Sequence, residues 1–232
     1  METALKLSNV TLEYPDGEEI LRALDDVSLE LRRGEFVSLV GPSGSGKSSL
    51  LAVAATLVRP TTGSVVVAGR DAGLLADAGR TALRRDSIGI IFQQPNLLQS
   101  LTAVEQLLIA AHLRTEPLRE ARQRAADLLG RVGLGSVLDK RPHQLSGGQR
   151  QRVNIARALM ASPAVLLVDE PTAALDHDRS EEIVRLLRRV TDEFGVATLM
   201  VTHDTGMVSY TDAVATMRDG RLSAAGVLAP AP

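Results

Sequence analysis

The chain has no cysteine and no tryptophan, and only two tyrosines and three phenylalanines among its 232 residues. Without cysteine it can form no disulfide and no thiolate metal site, which fits a reducing compartment. No apolar run approaches the roughly 20 residues that a membrane-crossing helix needs. The opening Met1-Glu2-Thr3-Ala4-Leu5-Lys6 lacks the basic head and apolar stretch of a signal peptide. A soluble chain is therefore expected, one that would work on a membrane only through a partner. No sign of charge dominates either: 26 Lys+Arg stand against 28 Asp+Glu, a formal net charge of -2. That balance gives no electrostatic reason to expect nucleic-acid binding. The pairs Arg32-Arg33, Arg84-Arg85 and Arg188-Arg189 read as solvated faces. Internal repeats and long low-complexity tracts are also missing.

What the chain does have is glycine in telling places. Gly41-Pro42-Ser43-Gly44-Ser45-Gly46-Lys47-Ser48 fits G-x-x-x-x-G-K-[ST] and directly follows the apolar run Phe36-Val37-Ser38-Leu39-Val40. In that context the glycines let backbone N–H groups converge on a phosphate at the start of a helix opened by Ser48-Ser49-Leu50-Leu51. Lys47 would reach the terminal phosphates and Ser48 would ligate magnesium. The alternative is a plain glycine-rich turn between strand and helix.

Four apolar runs read as parallel core strands: 36–40, 88–92, 165–168 and 198–202. They are followed by Gly41, Gln93, Asp169-Glu170 and His203. In an open α/β sheet the carboxyl ends of parallel strands line one crevice, so these four sets are expected to meet around one ligand. Segments 5–14, 27–31 and 64–68 read as short antiparallel strands, with Asp16-Gly17 and Thr62-Gly63 as turn signals. Residues 213–222 read as a terminal hairpin on Asp219-Gly220. The stretch 101–134 is expected to be helical, with Leu118, Arg122, Ala125, Leu129 and Val132 near helical spacing. The tail Leu228-Ala229-Pro230-Ala231-Pro232 is expected to be mobile.

A second phosphate cradle is suggested by Leu145-Ser146-Gly147-Gly148-Gln149, followed by a helix over 150–160 with Val153, Ala156 and Met160 on one face. Ser146 is a fitting N-cap, and two glycines expose N–H groups at a positive helix end. A simply capped helix after a loop is the other account. One phosphate chain needs one cradle, so a second could serve a nucleotide held by another copy.

Taken together these motifs resemble the nucleotide-binding subunit of ATP-binding-cassette (ABC) transporters over essentially the full length. Gly41 to Ser48 resembles the Walker A loop, Gln93 the Q-loop glutamine and 145–149 the ABC signature. Residues 165–170 resemble the Walker B strand with its acidic pair, Leu175-Asp176 the D-loop, and His203 the switch histidine. The resemblance implies an α/β fold: a P-loop NTPase (RecA-like) core with a mostly parallel sheet, an N-terminal antiparallel β subdomain and an inserted α-helical subdomain. It divides one domain into a core of about 1–94 and 160–232 and a helical signature part of about 95–159. It implies ATP and Mg2+ as ligands and a head-to-tail homodimer when ATP is bound. Each ATP would lie between the phosphate set of one copy, Gly41 through Ser49, and Ser146, Gly147, Gly148 and Gln149 of the other, with Asp176 near the seam.

Hydrolysis of a phosphoric anhydride is limited by positioning and charge stabilisation, so the site needs donors, a divalent ion and a group that orients water. Asp169, ending an apolar strand, suits the magnesium shell with Ser48 and Gln93. By resemblance Glu170 would polarise the water, His203 would hold the γ-phosphate and Gln93 would report occupancy. In isolation Asp169-Glu170-Pro171 would read as a charged turn. Tyr14 matters in a chain with 2% aromatics: it offers adenine a flat π-face and matches the family's A-loop, although tyrosine also favours half-buried strands. His112, His143 and His177 have no metal-ligand spacing and read as surface or loop residues. Ala173-Ala174-Leu175-Asp176 departs from relatives that carry Ser or Gly first, removing a hydroxyl contact from the D-loop.

The stretch Phe92-Gln93-Gln94-Pro95-Asn96-Leu97-Leu98, then Leu101 to Gln106, resembles small cassettes of the lipoprotein-release, macrolide-export, peptide-resistance and cell-division group. Arg141-Pro142-His143-Gln144 points the same way. That resemblance implies a membrane permease partner, no nucleic acid, and a cytoplasmic chain peripheral to the membrane. The surface of 93–101 and the following helix is expected to receive a short helix of the permease. Three function classes stay open: a transporter ATPase, a mechanical regulator of the cell-division type, and a soluble cassette ATPase of DNA repair or translation. The last usually carries coiled coils, and no sustained heptads lie between Lys47 and Ser146.

Overall fold

The computed structural model describes residues 2–17, 19–173 and 175–227. The expectation for the tail 228–232 and the one for Ala174 lie outside these residues. The chain opens with two long strands, β1 (Thr3–Asp16) and β2 (Glu19–Arg32), then β3 (Phe36–Val40) and helix α1 (Lys47–Ala54). Next come β4 (Thr62–Val67), β5 (Arg70–Asp71), α2 (Asp77–Ser87) and β6 (Ile88–Ile91). Three helices follow, α3 (Ala103–Leu113), α4 (Leu118–Arg131) and α5 (Gly147–Leu159). The chain closes with β7 (Val165–Asp169), α6 (His177–Phe194), β8 (Ala197–Val201), β9 (Ala213–Arg218) and β10 (Arg221–Val227).

The strands form an antiparallel sheet ordered β2-β1-β4-β5 and a six-stranded sheet ordered β10-β9-β3-β8-β7-β6. The four runs expected as parallel strands are β6, β7, β8 and β3, and they pair parallel. Their unbroken apolar character follows from cover on both faces. Along β7, Val165 and Leu167 join one core cluster with β1, β2 and α1, while Leu166 and Val168 join the other with α3 through α6. Alternation of side chains across the pleat thus divides the core in two.

The terminal hairpin forms as read, β9 antiparallel to β10, and β9 also pairs parallel with β3, Val37 opposite Ala213 and Val40 opposite Thr216. Its turn, Asp219-Gly220, has φ of 48° and 75°, the double left-handed geometry of a tight hairpin. The helical stretch breaks into α3, capped by a Thr102–Glu105 capping box, and α4, which starts after Pro117. In α4 the buried stripe is Ala121, Ala125, Leu128 and Leu129, with Leu118 exposed at the first turn. Arg122 also faces solvent, because the covered stripe follows i, i+4, i+7, i+8 from Ala121 instead of from Leu118.

Candidate functional site

The phosphate-type loop is wedged between strands, and the wedge explains its glycines. A Cβ on Gly41 would lie 2.1 Å from the carbonyl oxygen of Met217 in β9. One on Gly46, whose φ is 103°, would lie 2.5 Å from the carbonyl oxygen of Ala23 in β2. Gly46 precedes α1 without a side-chain cap, and the first turn has no acidic residue. The orphan N–H groups of that turn therefore face outward at the positive end of a helix dipole. Lys47 is buried, and its Nζ donates to the carbonyl oxygens of Gly41 and Pro42, both at 2.8 Å. The hairpin turn props the loop from behind: Gly220 N donates to Ser45 O at 3.1 Å.

A cleft of about 750 Å³ opens over this loop. Tyr14, Gly41, Ser43, Gly44, Gly46, Lys47, Ser48, Ser49, Glu170 and His203 line it. Of the loop residues 41–49, Pro42 and Ser45 do not: Pro42 is exposed, and Ser45 is buried behind the loop with its hydroxyl unpaired. Tyr14 is 41% exposed at the lip. Arg22 and Asp219 also line the cleft and were not anticipated. Arg22 is held by Glu13 and Asp25 at 2.9 and 3.1 Å, and nothing in its local sequence sets it apart from any strand arginine.

The acidic pair divides between two environments. Glu170 follows β7 at a φ of 42°, and its N–H donates to Val201 O at 3.0 Å. Its Oε1 lies 3.5 Å from Nδ1 of His203. Asp169 sits deeper, bordering a smaller cavity of about 110 Å³ shared with Ser48 and Phe92. Burial, and next the charge of Glu170, raise its pKa above the ordinary carboxylate range, while Lys47 partly offsets them. Gln93 lies beyond the end of β6, exposed, and does not line the large cleft.

The second cradle is built but stands apart. Ser146 caps α5: its hydroxyl accepts from Gln149 N at 3.2 Å, and Gln149 Oε1 accepts from Ser146 N at 2.9 Å. Val153, Ala156 and Met160 are buried as expected. Ser146, Gly148 and Gln149 line a separate cleft of about 330 Å³ with Arg152, Arg179 and Glu182. Gly147 faces Leu175 instead, 3.7 Å from where its Cβ would be. Asp176 lines neither cleft; it caps α6 by accepting from Arg179 N at 3.0 Å. His112, His143 and His177 are exposed. Among the described residues no group of three or more His, Cys, Asp or Glu side chains converges to hold a metal ion.

Comparisons with known proteins agree on a family. A family model described as ABC transporter matches residues 24–173. The chain is 46% identical over 220 residues to the lipoprotein-releasing system ATP-binding protein LolD of Gluconobacter oxydans (strain 621H), covering 95% of each. It is 44% identical to the macrolide export ATP-binding/permease protein MacB 1/2 of Paracoccus denitrificans (strain Pd 1222), covering 95% of this chain and 33% of that one. Among solved structures it resembles the dimeric post-hydrolysis state of the ATP-binding cassette MJ0796 bound to ADP and Pi. That likeness has a TM-score of 0.86 and 40% identity, with 97% and 99% of the two chains covered. The Methanocaldococcus jannaschii protein of that name is described as an uncharacterized ABC transporter ATP-binding protein.

Proposed function

The chain belongs to the ABC transporter family as an ATP-binding subunit, and from that premise we propose that it hydrolyses ATP in a head-to-tail pair of copies and drives a membrane permease. The observation that carries this reading is the division of the site. The cleft over Lys47 and the cleft over Ser146 share no residue. A triphosphate on the first would leave its outer face to solvent, and a second copy can cover it with the 146–149 motif.

Each residue then has a task. Tyr14 stacks on adenine. Lys47 exchanges the carbonyls of Gly41 and Pro42 for the terminal phosphates, joined by N–H groups of the loop and of Ser48 and Ser49. Ser48, Asp169 and Gln93 would hold magnesium, which would supply positive charge against the phosphate oxygens. The residues would suit that ion: Ser48 and Asp169 border one small cavity, and burial, and next the charge of Glu170, raise the Asp169 pKa, a penalty on the charged form that a divalent cation would relieve. Glu170 orients a water whose oxygen bonds to the γ-phosphorus as the bond to the bridging oxygen breaks, and it takes up the water's proton. His203 steadies Glu170 and the γ-phosphate. Asp176, exposed at the start of α6, meets the other copy at the seam.

The partner is a permease of the lipoprotein-release, macrolide-export or peptide-resistance type, with the chain on the cytoplasmic side and peripheral to the membrane. No helix among the described residues is long and apolar enough to cross a membrane. Exposed Leu57 and Phe92, which border one cavity, and exposed Leu98 within the 93–101 loop offer apolar contacts for a short permease helix.

Two arrangements of two substitutions test the shared site. With Lys47→Ala in one copy and Ser146→Arg in its partner, both lesions fall in one site and the other stays intact. With both in one copy, each site carries a lesion. Tandem-tagged pairs are expected to occlude ATP in the first arrangement and lose occlusion in the second. Equal occlusion in both would sink the composite site.

A further inference from the structure

Helix α5 carries the Ser146 motif at its first turn, and farther along the same helix three side chains reach the loop after β6. Gln151 and Asn154 are buried, and both donate to the carbonyl oxygen of Phe92, at 3.4 and 3.1 Å. Arg157 forks onto the same loop. One of its nitrogens donates to Pro95 O at 2.9 Å and to Asn154 Oδ1 at 2.9 Å, and the other reaches Asn96 O at 3.5 Å. Gln93 lies inside this bracketed stretch. Spacing of three residues along α5 stacks the donors on one side of the helix.

The far end of the loop is tied as well. Gln106, fully buried on α3, donates to Leu98 O at 2.7 Å and accepts from Leu98 N at 3.1 Å. The loop that carries Gln93 is thus hung between two helices by side chains, while its backbone adds no strand pairing of its own. Arg157 is the unusual member. Its partners here are neutral oxygens, none a carboxylate among the described residues, and burial lowers its pKa. A guanidinium desolvated without a counter-charge is costly, and its planar fork is the group suited to hold two carbonyls at fixed separation.

We propose that Arg157 is a positioning residue: with Asn154 it fastens the loop bearing Gln93 to α5, so that Gln93 and the 146–149 motif move as one body. The inference rests on the composite site above, because the motif serves the nucleotide of the other copy while Gln93 belongs with the chain's own. Arg157 then links the two sites through one helix, a contiguous network of the kind that carries coupling.

The test uses the full chain, with ATP affinity and steady-state turnover measured separately. Arg157→Met keeps the apolar stem and removes the fork; Arg157→Lys keeps the charge and loses the second donor plane. Turnover is expected to fall roughly 2- to 30-fold in Arg157→Met, the range over which network residues shift coupling, with ATP affinity within about twofold. A cycle of Gln93→Ala and Ser146→Ala, both placed in one copy of a tandem-tagged pair so that they fall in different sites, distinguishes coupling from a loss of stability. In the parent the two effects are expected to be non-additive, and in the Arg157→Met background they should multiply. Coupling that survives Arg157→Met, or a fall in affinity with turnover unchanged, overturns the tether. Should Arg157→Met fail to fold, Arg157→Lys carries the same cycle, where undiminished coupling has the same force. A parent chain that hydrolyses no ATP overturns instead the reading on which the tether rests.

Discussion

His203 Nδ1 and Glu170 Oε1 stand 3.5 Å apart, joining the ends of two neighbouring strands. They meet because β7 and β8 are adjacent and parallel, with Asp169 opposite Val201, so the residues just beyond fall side by side. The Glu170 side chain is 28% exposed and that of His203 64%, and both line the cleft over Gly41 to Ser49. Glu170 takes a left-handed φ of 42°, an uncommon conformation for a residue with a side chain, and such positions concentrate at sites of function.

Glu170→Gln retains the size and the place beside His203 but cannot accept a proton. Hydrolysis is expected to fall about 10²- to 10⁴-fold, the range for removal of a general base. ATP binding should persist, and the variant should accumulate as an ATP-bound dimer on size exclusion. Turnover equal to the parent's would remove Glu170 from the role assigned to it. His203→Ala is expected to lower turnover while affinity changes less, if His203 acts on geometry at the γ-phosphate as proposed.

Tyr14 sits at the lip of the cleft opposite the Lys47 loop, 41% exposed. If its ring is the platform for adenine, Tyr14→Ala should weaken ATP binding by roughly 1–3 kcal/mol, the contribution of one base–aromatic stack. Tyr14→Phe and Tyr14→Trp should keep most of the affinity, because stacking needs the ring and not the hydroxyl. Calorimetric titration of the three variants decides the matter. Equal affinity in Tyr14→Ala would return Tyr14 to the status of a strand aromatic.

Much of this arrangement is legible in the sequence. The phosphate loop announces itself because glycine is needed where backbone meets backbone. The four inner strands are readable because a parallel sheet covered on both faces demands unbroken apolar runs. Ser146 was readable as a cap because a hydroxyl before two glycines has few other local tasks. The rest depends on distant register. Nothing near 213–222 says that β9 would pair with β3 and set Gly220 against Ser45. Helix α2, with only Leu83 buried, has too thin an apolar stripe to register. Gln151, Asn154 and Arg157 look like the polar side of an amphipathic helix, and only the fold reveals that a loop crosses there.

Gly41 is held to its identity by β9. An alanine there would place its Cβ 2.1 Å from Met217 O, a backbone atom that cannot rotate away. The expected cost of Gly41→Ala is about 1–3 kcal/mol, as for overpacking elsewhere, read from denaturant unfolding. Relief requires the loop to move off β9, so ATP affinity should fall in the same variant. A variant with parental stability and affinity would mean that the loop and β9 are not in fixed contact in solution.

Asp169 ties stability to function in opposite senses. Its carboxyl is buried and faces the charge of Glu170, so its folded pKa lies above the ordinary carboxylate value. Between the unfolded and folded pKa values the native state binds more protons than the unfolded state, so stability falls as pH rises through that window. Above it, the nucleotide-free protein carries the full penalty of an ionised, crowded Asp169. Asp169→Asn removes that penalty and keeps the shape. It should therefore melt at a higher temperature than the parent at neutral pH, and the gap should close as pH drops into the carboxylate range. The same variant should lose magnesium-dependent hydrolysis, since a neutral amide lacks the negative charge with which a carboxylate holds a small divalent cation. A melting temperature below the parent's at neutral pH, without nucleotide, would show that Asp169 is held by favourable contacts and that the crowding argument is wrong.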